Sequence, residues 1–250
     1  LIATLNKTNP KAKVKIKNRV NSIIVDKSKL AGSGIGSTTL DNGLTHGNFP
    51  FGTRVEDEVI SLNRPDIIEI HGIYESADTS AASAPNMTLQ SINSASTTTT
   101  ELLIGEQIVG QTSGARAIVS EKLSDSTITF ISKTETVFVE GETIEAQESN
   151  IGAVISSIGS PSFNISPNYT FRTGQEETFY DHGRLRRKKG KSSPAKQLKI
   201  YFSSASFDST DTGDVVTINS YNNFDYSNEI RNIDIYRNSD IIDIRPRVAE

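Results

Sequence analysis

The sequence predicts an all-β protein, and three observations carry that expectation. A unit is repeated 36 residues on without a gap: Gly105-Glu106-Gln107-Ile108 recurs as Gly141-Glu142-Thr143-Ile144, and Gln111, Ser113, Ala117 and Ser120 recur as Gln147, Ser149, Ala153 and Ser156. The stretch from Lys11 to Lys17 alternates strictly between lysine and apolar residues. Apolar residues make up only 35% of the 250, with many Ser, Thr and Asn, which suits thin sandwiches and small barrels better than one large α/β core. The apolar pattern is duplicated along with the polar one, Leu102-Leu103 and Ile118-Val119 returning as Phe138-Val139 and Val154-Ile155. Two copies are too few for a solenoid, so the repeat predicts a small closed β-unit with an approximate internal two-fold.

At the start of the chain, Lys11, Lys13, Lys15 and Lys17 fall on one side of a period-two pattern and Ala12, Val14 and Ile16 on the other. This predicts a half-buried strand with its lysines on the wet face, guarding an exposed edge. Val20 and Ile23-Ile24-Val25 follow as a second apolar group. Gly32 to Ser37 has the glycines of a phosphate loop but neither the closing Lys-Ser/Thr pair nor a helix pattern, so it is a connection. From Thr38 to Thr53 glycine, asparagine and aspartate dominate. Residues 1–65 are therefore expected to form an extended β arm that leans on a neighbour.

Asp66 to Glu75 carries isoleucines on both faces, the mark of a strand covered twice. Residues 66–85 and 161–250 are expected to make one discontinuous host, an immunoglobulin- or fibronectin-like β-sandwich. Residues 86–160 are expected to be inserted into it as a small barrel of about six short strands. In the barrel Glu106 and Glu142 could be imagined as a catalytic pair, but a repeated glutamate beside a turn is a hydrogen-bond acceptor first. Later, Arg184, Arg186, Arg187, Lys188, Lys189 and Lys191 make a basic tip, expected on a hairpin between two strands. As function such a tip could grip phosphate or a partner's acidic surface; as structure it is a solvated loop. Asp208, Asp211 and Asp214 lack the alternation and closing Glu of a calcium loop, and predict a solvated turn.

Several classes of function find no support in the residues. The absence of cysteine removes disulfides, thiolate metal sites and cysteine nucleophiles. His46, His71 and His182 sit in no ligand spacing, and no catalytic, cofactor-binding or metal-binding set is expected. A net charge of −4 and a pI near 5.5 give no overall drive toward nucleic acid or an anionic membrane. No run approaches the roughly 18 apolar residues of a membrane span. The chain begins at Leu1 and its one methionine is Met87, so it reads as a piece of something longer.

Short motifs scattered through the host carry a family resemblance. Phe51-Gly52-Thr53-Arg54-Val55-Glu56-Asp57-Glu58, Leu62-Asn63-Arg64-Pro65-Asp66, Ile73-Tyr74-Glu75-Ser76, Gly174-Gln175, Phe179-Tyr180-Asp181, Arg184-Leu185, Val216 to Tyr221 and Asp243 to Arg247 together resemble segments of large tail or baseplate proteins of contractile-tailed bacteriophages of the marine type. The resemblance implies a β-rich structural segment of a virion tail, assembled in the host bacterial cytoplasm. It implies partners among other tail or baseplate subunits and further domains of the same long chain, in a symmetric assembly, and no catalytic residues. The alternative is a receptor- or glycan-binding β module of a virion or adhesin, which the absence of tryptophan weakens.

Overall fold

The computed structural model describes residues 9–25, 55–90, 92, 98–174, 181–208, 210–221, 224 and 242–243. The segment from Gly32 to Thr53, read above as a connection and a polar stretch, lies outside the described residues. In order the strands are β1 (Lys15–Val25), β2 (Val59–Ser61), β3 (Ile67–Ser76), β4 (Asn86–Gln90), β5 (Gln107–Gly110), β6 (Arg116–Lys122), β7 (Thr127–Ser132), β8 (Thr143–Ala146), β9 (Gly152–Gly159), β10 (Ser162–Asn164), β11 (Tyr169–Arg172), β12 (Arg184–Arg187), β13 (Leu198–Phe207), β14 (Val216–Thr217) and β15 (Ile242–Asp243). The fold is all-β, as expected. β1-β13-β3-β10 and β11-β12-β2 form two antiparallel sheets, and β4-β7-β6-β5-β8-β9 close into a barrel.

Between the two sheets lies the host core: Ile23, Val25, Ile67, Ile73, Leu198, Ile200 and Phe202 from one side, Ile60, Tyr169 and Leu185 from the other. The N-terminal segment therefore differs from a separate arm. Its β1 runs along β13 from Lys15↔Phe207 to Val25↔Leu198 as an edge strand of the host sheet, and β2 pairs with β12 in the opposite one. A bulge in β1 between Asn18 and Asn21 changes which residues face the core. Beyond it Ile23 and Val25 point inward; before it the faces are exchanged, because one extra residue flips a period-two pattern.

The barrel obeys the repeat. Ile108 pairs with Ala117 across β5 and β6, and Ile144 with Ala153 across β8 and β9. β5 and β8 pair with each other about the two-fold, Ile108↔Ala146 and Gly110↔Ile144. Gly105 and Gly141 take the same left-handed turn, φ +84° and +86°, which a Cβ would strain. Both glutamates are buried, and each closes the other copy's turn. Glu106 accepts the backbone N–H groups of Glu148 and Ser149 at 3.3 and 3.0 Å, and Glu142 those of Thr112 and Ser113 at 3.2 and 2.9 Å. The serine hydroxyls add a further donor to each carboxylate, and Leu103 and Val139 add their own N–H groups. Burial pushes the Glu142 carboxyl up, but the donors from Ser113, Val139 and Thr112 outweigh it and hold it below its ordinary 4.5.

The barrel docks on the outer face of β1-β13-β3. Ile118 and Ile131 of the barrel meet Val20, Tyr74 and Tyr201 of the host, the two tyrosine rings edge to face at 5.8 Å. Around this apolar centre runs a polar rim: Arg19 with Glu148 at 2.7 Å, Lys133 with Glu69 at 3.2 Å, and Glu121 accepting from both Ser22 and Lys199. His71 completes it. Its Nε2 faces the Arg19 carbonyl and its Nδ1 the Lys133 ammonium. A carbonyl only accepts and an ammonium only donates, so the ring is the neutral Nε2–H tautomer. Burial, then the Lys133 charge, hold its pKa below 6.5.

Below the barrel, a C-terminal segment covers the rest of that face. Ala12 and Val215 form a parallel bridge, Asp211 accepts Val14 N–H at 2.6 Å and Asp214 accepts Lys11 N–H at 3.0 Å. Ala205, Val216, Tyr221 and Phe224 form a small core there, with Ile68 and Phe207 against it. Into this core points Lys15, which corrects the expectation of a wet lysine face. Lys15 is 0% exposed, whereas Val14 and Ile16 are 50% and 44% exposed. The lysine face of β1 is the one that Phe207 and Tyr221 cover. Lys15 Nζ pairs with Asp66 Oδ2 and reaches the Tyr221 hydroxyl at 2.7 Å. The two rings return about 0.5–2 kcal/mol to an ammonium. Desolvation costs several kcal/mol per ion, so the pair holds only as a pair.

Candidate partner-binding surface

The basic tip is built on β12. Leu185 points into the core, which turns the arginines flanking it outward between β11 and β2. The tip differs from the expected hairpin: β12 belongs to one sheet and β13 to the other, so residues 188–197 cross the edge of the sandwich. A tight turn at Gly190, φ +81°, with Lys191 N–H donating to the Lys188 carbonyl, sets the shape.

Of the six expected contact residues the structure gathers five around one open cleft of about 630 Å³, lined also by Glu58 and Thr170. Arg184 turns away from it to pair with Asp181. Arg186 grips Glu58 through Nε and Nη2 at 3.1 and 3.0 Å, an exposed pair of the kind worth about 0–1 kcal/mol. Arg187 Nη1 donates to the carbonyls of Glu56 and Asp57, each at 3.1 Å, and Lys188 donates to that of Pro167 at 2.8 Å. Two arginines and one lysine thus serve the fold first. Lys189 and Lys191 are exposed and have no side-chain partner among the described residues. Beneath the cleft the Tyr169 hydroxyl is pushed above its ordinary 10.0 by burial, with the Arg187 charge pulling the other way.

The other residues singled out in the sequence have structural employment. Glu106 and Glu142 are held in opposite turns of the barrel by their donors. Asp208 accepts from Thr210, while Asp211 and Asp214 fasten the N-terminal backbone. His46 lies outside the described residues, His71 sits at the seam, and His182 N–H donates to Asp181. Among the described residues no cluster of three or more His, Cys, Asp or Glu could hold a metal ion.

Sequence reasoning missed the buried group of Lys15, Asp66 and Tyr221. Its members are 51 and 206 residues from Lys15, a separation that no local pattern encodes. A faint signal exists in Asp66, which follows Pro65 and takes a positive φ of 54°, a conformation that aspartate tolerates better than most residues. Set against known protein families, curated proteins and solved structures, the chain matches none.

Proposed function

We propose that this chain is a structural segment of a phage tail or baseplate protein, working by protein contacts that attach subunits or fibres. The observation that supports it most is the division of labour at the tip: Arg186, Arg187 and Lys188 are spent on shaping a cleft, while Lys189 and Lys191 line the same cleft with no side-chain partner among the described residues. Two isolated cations on an acidic chain suit a small acidic patch on a protein neighbour, since a nucleic acid asks for a continuous basic track. The barrel clamped on the host sheet adds a second packed unit, and assembly proteins are commonly built from several such units.

The same reading takes the host as immunoglobulin-like. β2-β12-β11 follow the order of strands B-E-D and β1-β13-β3-β10 that of G-F-C-C′, with the barrel inserted between C and C′. N-terminal β1 fills the place that the last strand takes in such a domain. The test is the double variant Lys189→Glu/Lys191→Glu in the full-length protein. Incorporation into tail particles should fall several-fold with thermal stability unchanged. Normal incorporation, or turnover of a glycan by the purified chain, counts against the assembly reading.

A further inference from the structure

We propose that Lys15 and Asp66 form an intramolecular isopeptide bond. The two side chains are in direct contact, the lysine fully buried and the aspartate nearly so at 2% exposure. They come from strands on either side of β13, Lys15 opposite Phe207 and Asp66 just before β3, where its carbonyl accepts the Ala205 N–H. The Phe207 and Tyr221 rings lie 5.0 and 4.6 Å from Nζ and exclude water from it. Tyr221 adds the third polar group, a hydroxyl 2.7 Å from the amine. The parts the condensation needs are therefore side by side: an amine against a carboxyl group, a site closed to water, and a hydroxyl to relay a proton.

The chemistry balances without any co-reactant. In the apolar enclosure the ammonium passes one proton to the carboxylate, because two neutral groups are cheaper to bury than two ions. The neutral Nζ then attacks Cγ, the Nζ–Cγ bond forms, and the Tyr221 hydroxyl carries a proton from the attacking nitrogen to a carboxyl oxygen. A C–O bond breaks and one water leaves, with no change in oxidation state. Holding the two groups side by side supplies the effective concentration that an amine and an acid lack in solution. The product would tie β1 to β3 across β13, closing a covalent loop over the whole segment between them. A chain that bears load at its first strand gains most from such a bond, since among the described residues β1 is an edge strand whose ladder partner is β13.

The test is the intact mass of the folded 250-residue chain after denaturation, followed by peptide mapping. The expected result is a chain lighter than its sequence by one water, with a peptide containing Lys15 joined to one containing Asp66. The variant Lys15→Arg keeps the charge and lacks the nucleophile, so it should regain the full sequence mass. Asp66→Ala lacks the carboxyl group that is attacked, so it too should keep its full sequence mass. A folded chain of full sequence mass overturns the proposal. So does a water loss that persists in Lys15→Arg, which would place the dehydration elsewhere, as in a succinimide at another aspartate.

Discussion

At the scale of single residues, the two glutamates of the barrel show how one side chain can replace a loop's own hydrogen bonding. A turn of four or five residues leaves N–H groups pointing inward with no ladder to join. Glu142 collects those of Thr112 and Ser113 together with the Ser113 hydroxyl. Removing the acceptor strands several half-buried donors at once, so Glu142→Ala should cost about 1–3 kcal/mol in urea unfolding. Its charge also gives the barrel an acid limit. The folded pKa lies below the ordinary 4.5, so the stabilisation is complete above the unfolded value and is lost as the pH falls through the folded one. Amide exchange at Thr112 and Ser113 should accelerate on acidification below about pH 4.5, beyond the intrinsic pH dependence, and Glu142→Gln should remove that extra acceleration. Exchange that tracks the intrinsic rate in both proteins would show that the carboxylate carries no such load.

At the scale of elements, the barrel's two-fold is broken by where it docks. Gly105 and Gly141 have the same backbone conformation, yet a Cβ on Gly105 would run into the Cβ of Arg19 on β1, while one on Gly141 meets nothing within 4 Å. Gly141→Ala should therefore cost only the left-handed backbone, about 1–2 kcal/mol. Gly105→Ala should cost that and a further 1–3 kcal/mol, roughly, because the Cβ of Arg19 is not the loose end of a side chain and the strand itself must shift. Equal losses from the two variants in urea melts would mean that the seam does not hold the barrel as described. The seam's composition fits this asymmetry: tyrosines at the centre, and around them ion pairs that fix orientation more than they add affinity.

At the scale of the molecule, the insertion enters and leaves through one ladder. Ser76 of β3 pairs with Ser162 of β10, so the chain departs for the barrel and returns to the same place. Replacing residues 78–160 by a short turn should keep the β3–β10 hairpin and a cooperatively unfolding host. Its midpoint should drop, because Val20, Tyr74 and Tyr201 lose the cover of Ile118 and Ile131. Absence of a cooperative transition by circular dichroism would mean that the host cannot form its core alone.

The sequence by itself determined the barrel: its boundaries, its duplicated turns and the structural employment of its glutamates all follow from a repeat whose partners lie close along the chain. It also determined that the host is all-β and that β3 is covered on both faces. Only the tertiary structure decided which face of β1 is buried. Alternation says that two sides of a strand differ, but the cover comes from Phe207 and Tyr221, and a bulge exchanges the sides midway. In the same way, composition marked the basic tip without revealing that β12 and β13 part into different sheets, or that most of its cations are claimed by the carboxylate and carbonyls around the cleft. Local pattern fixes what a segment can bury. Which distant segment arrives to bury it is a property of the whole chain, and here that arrival placed a lysine and an aspartate together in a dry core.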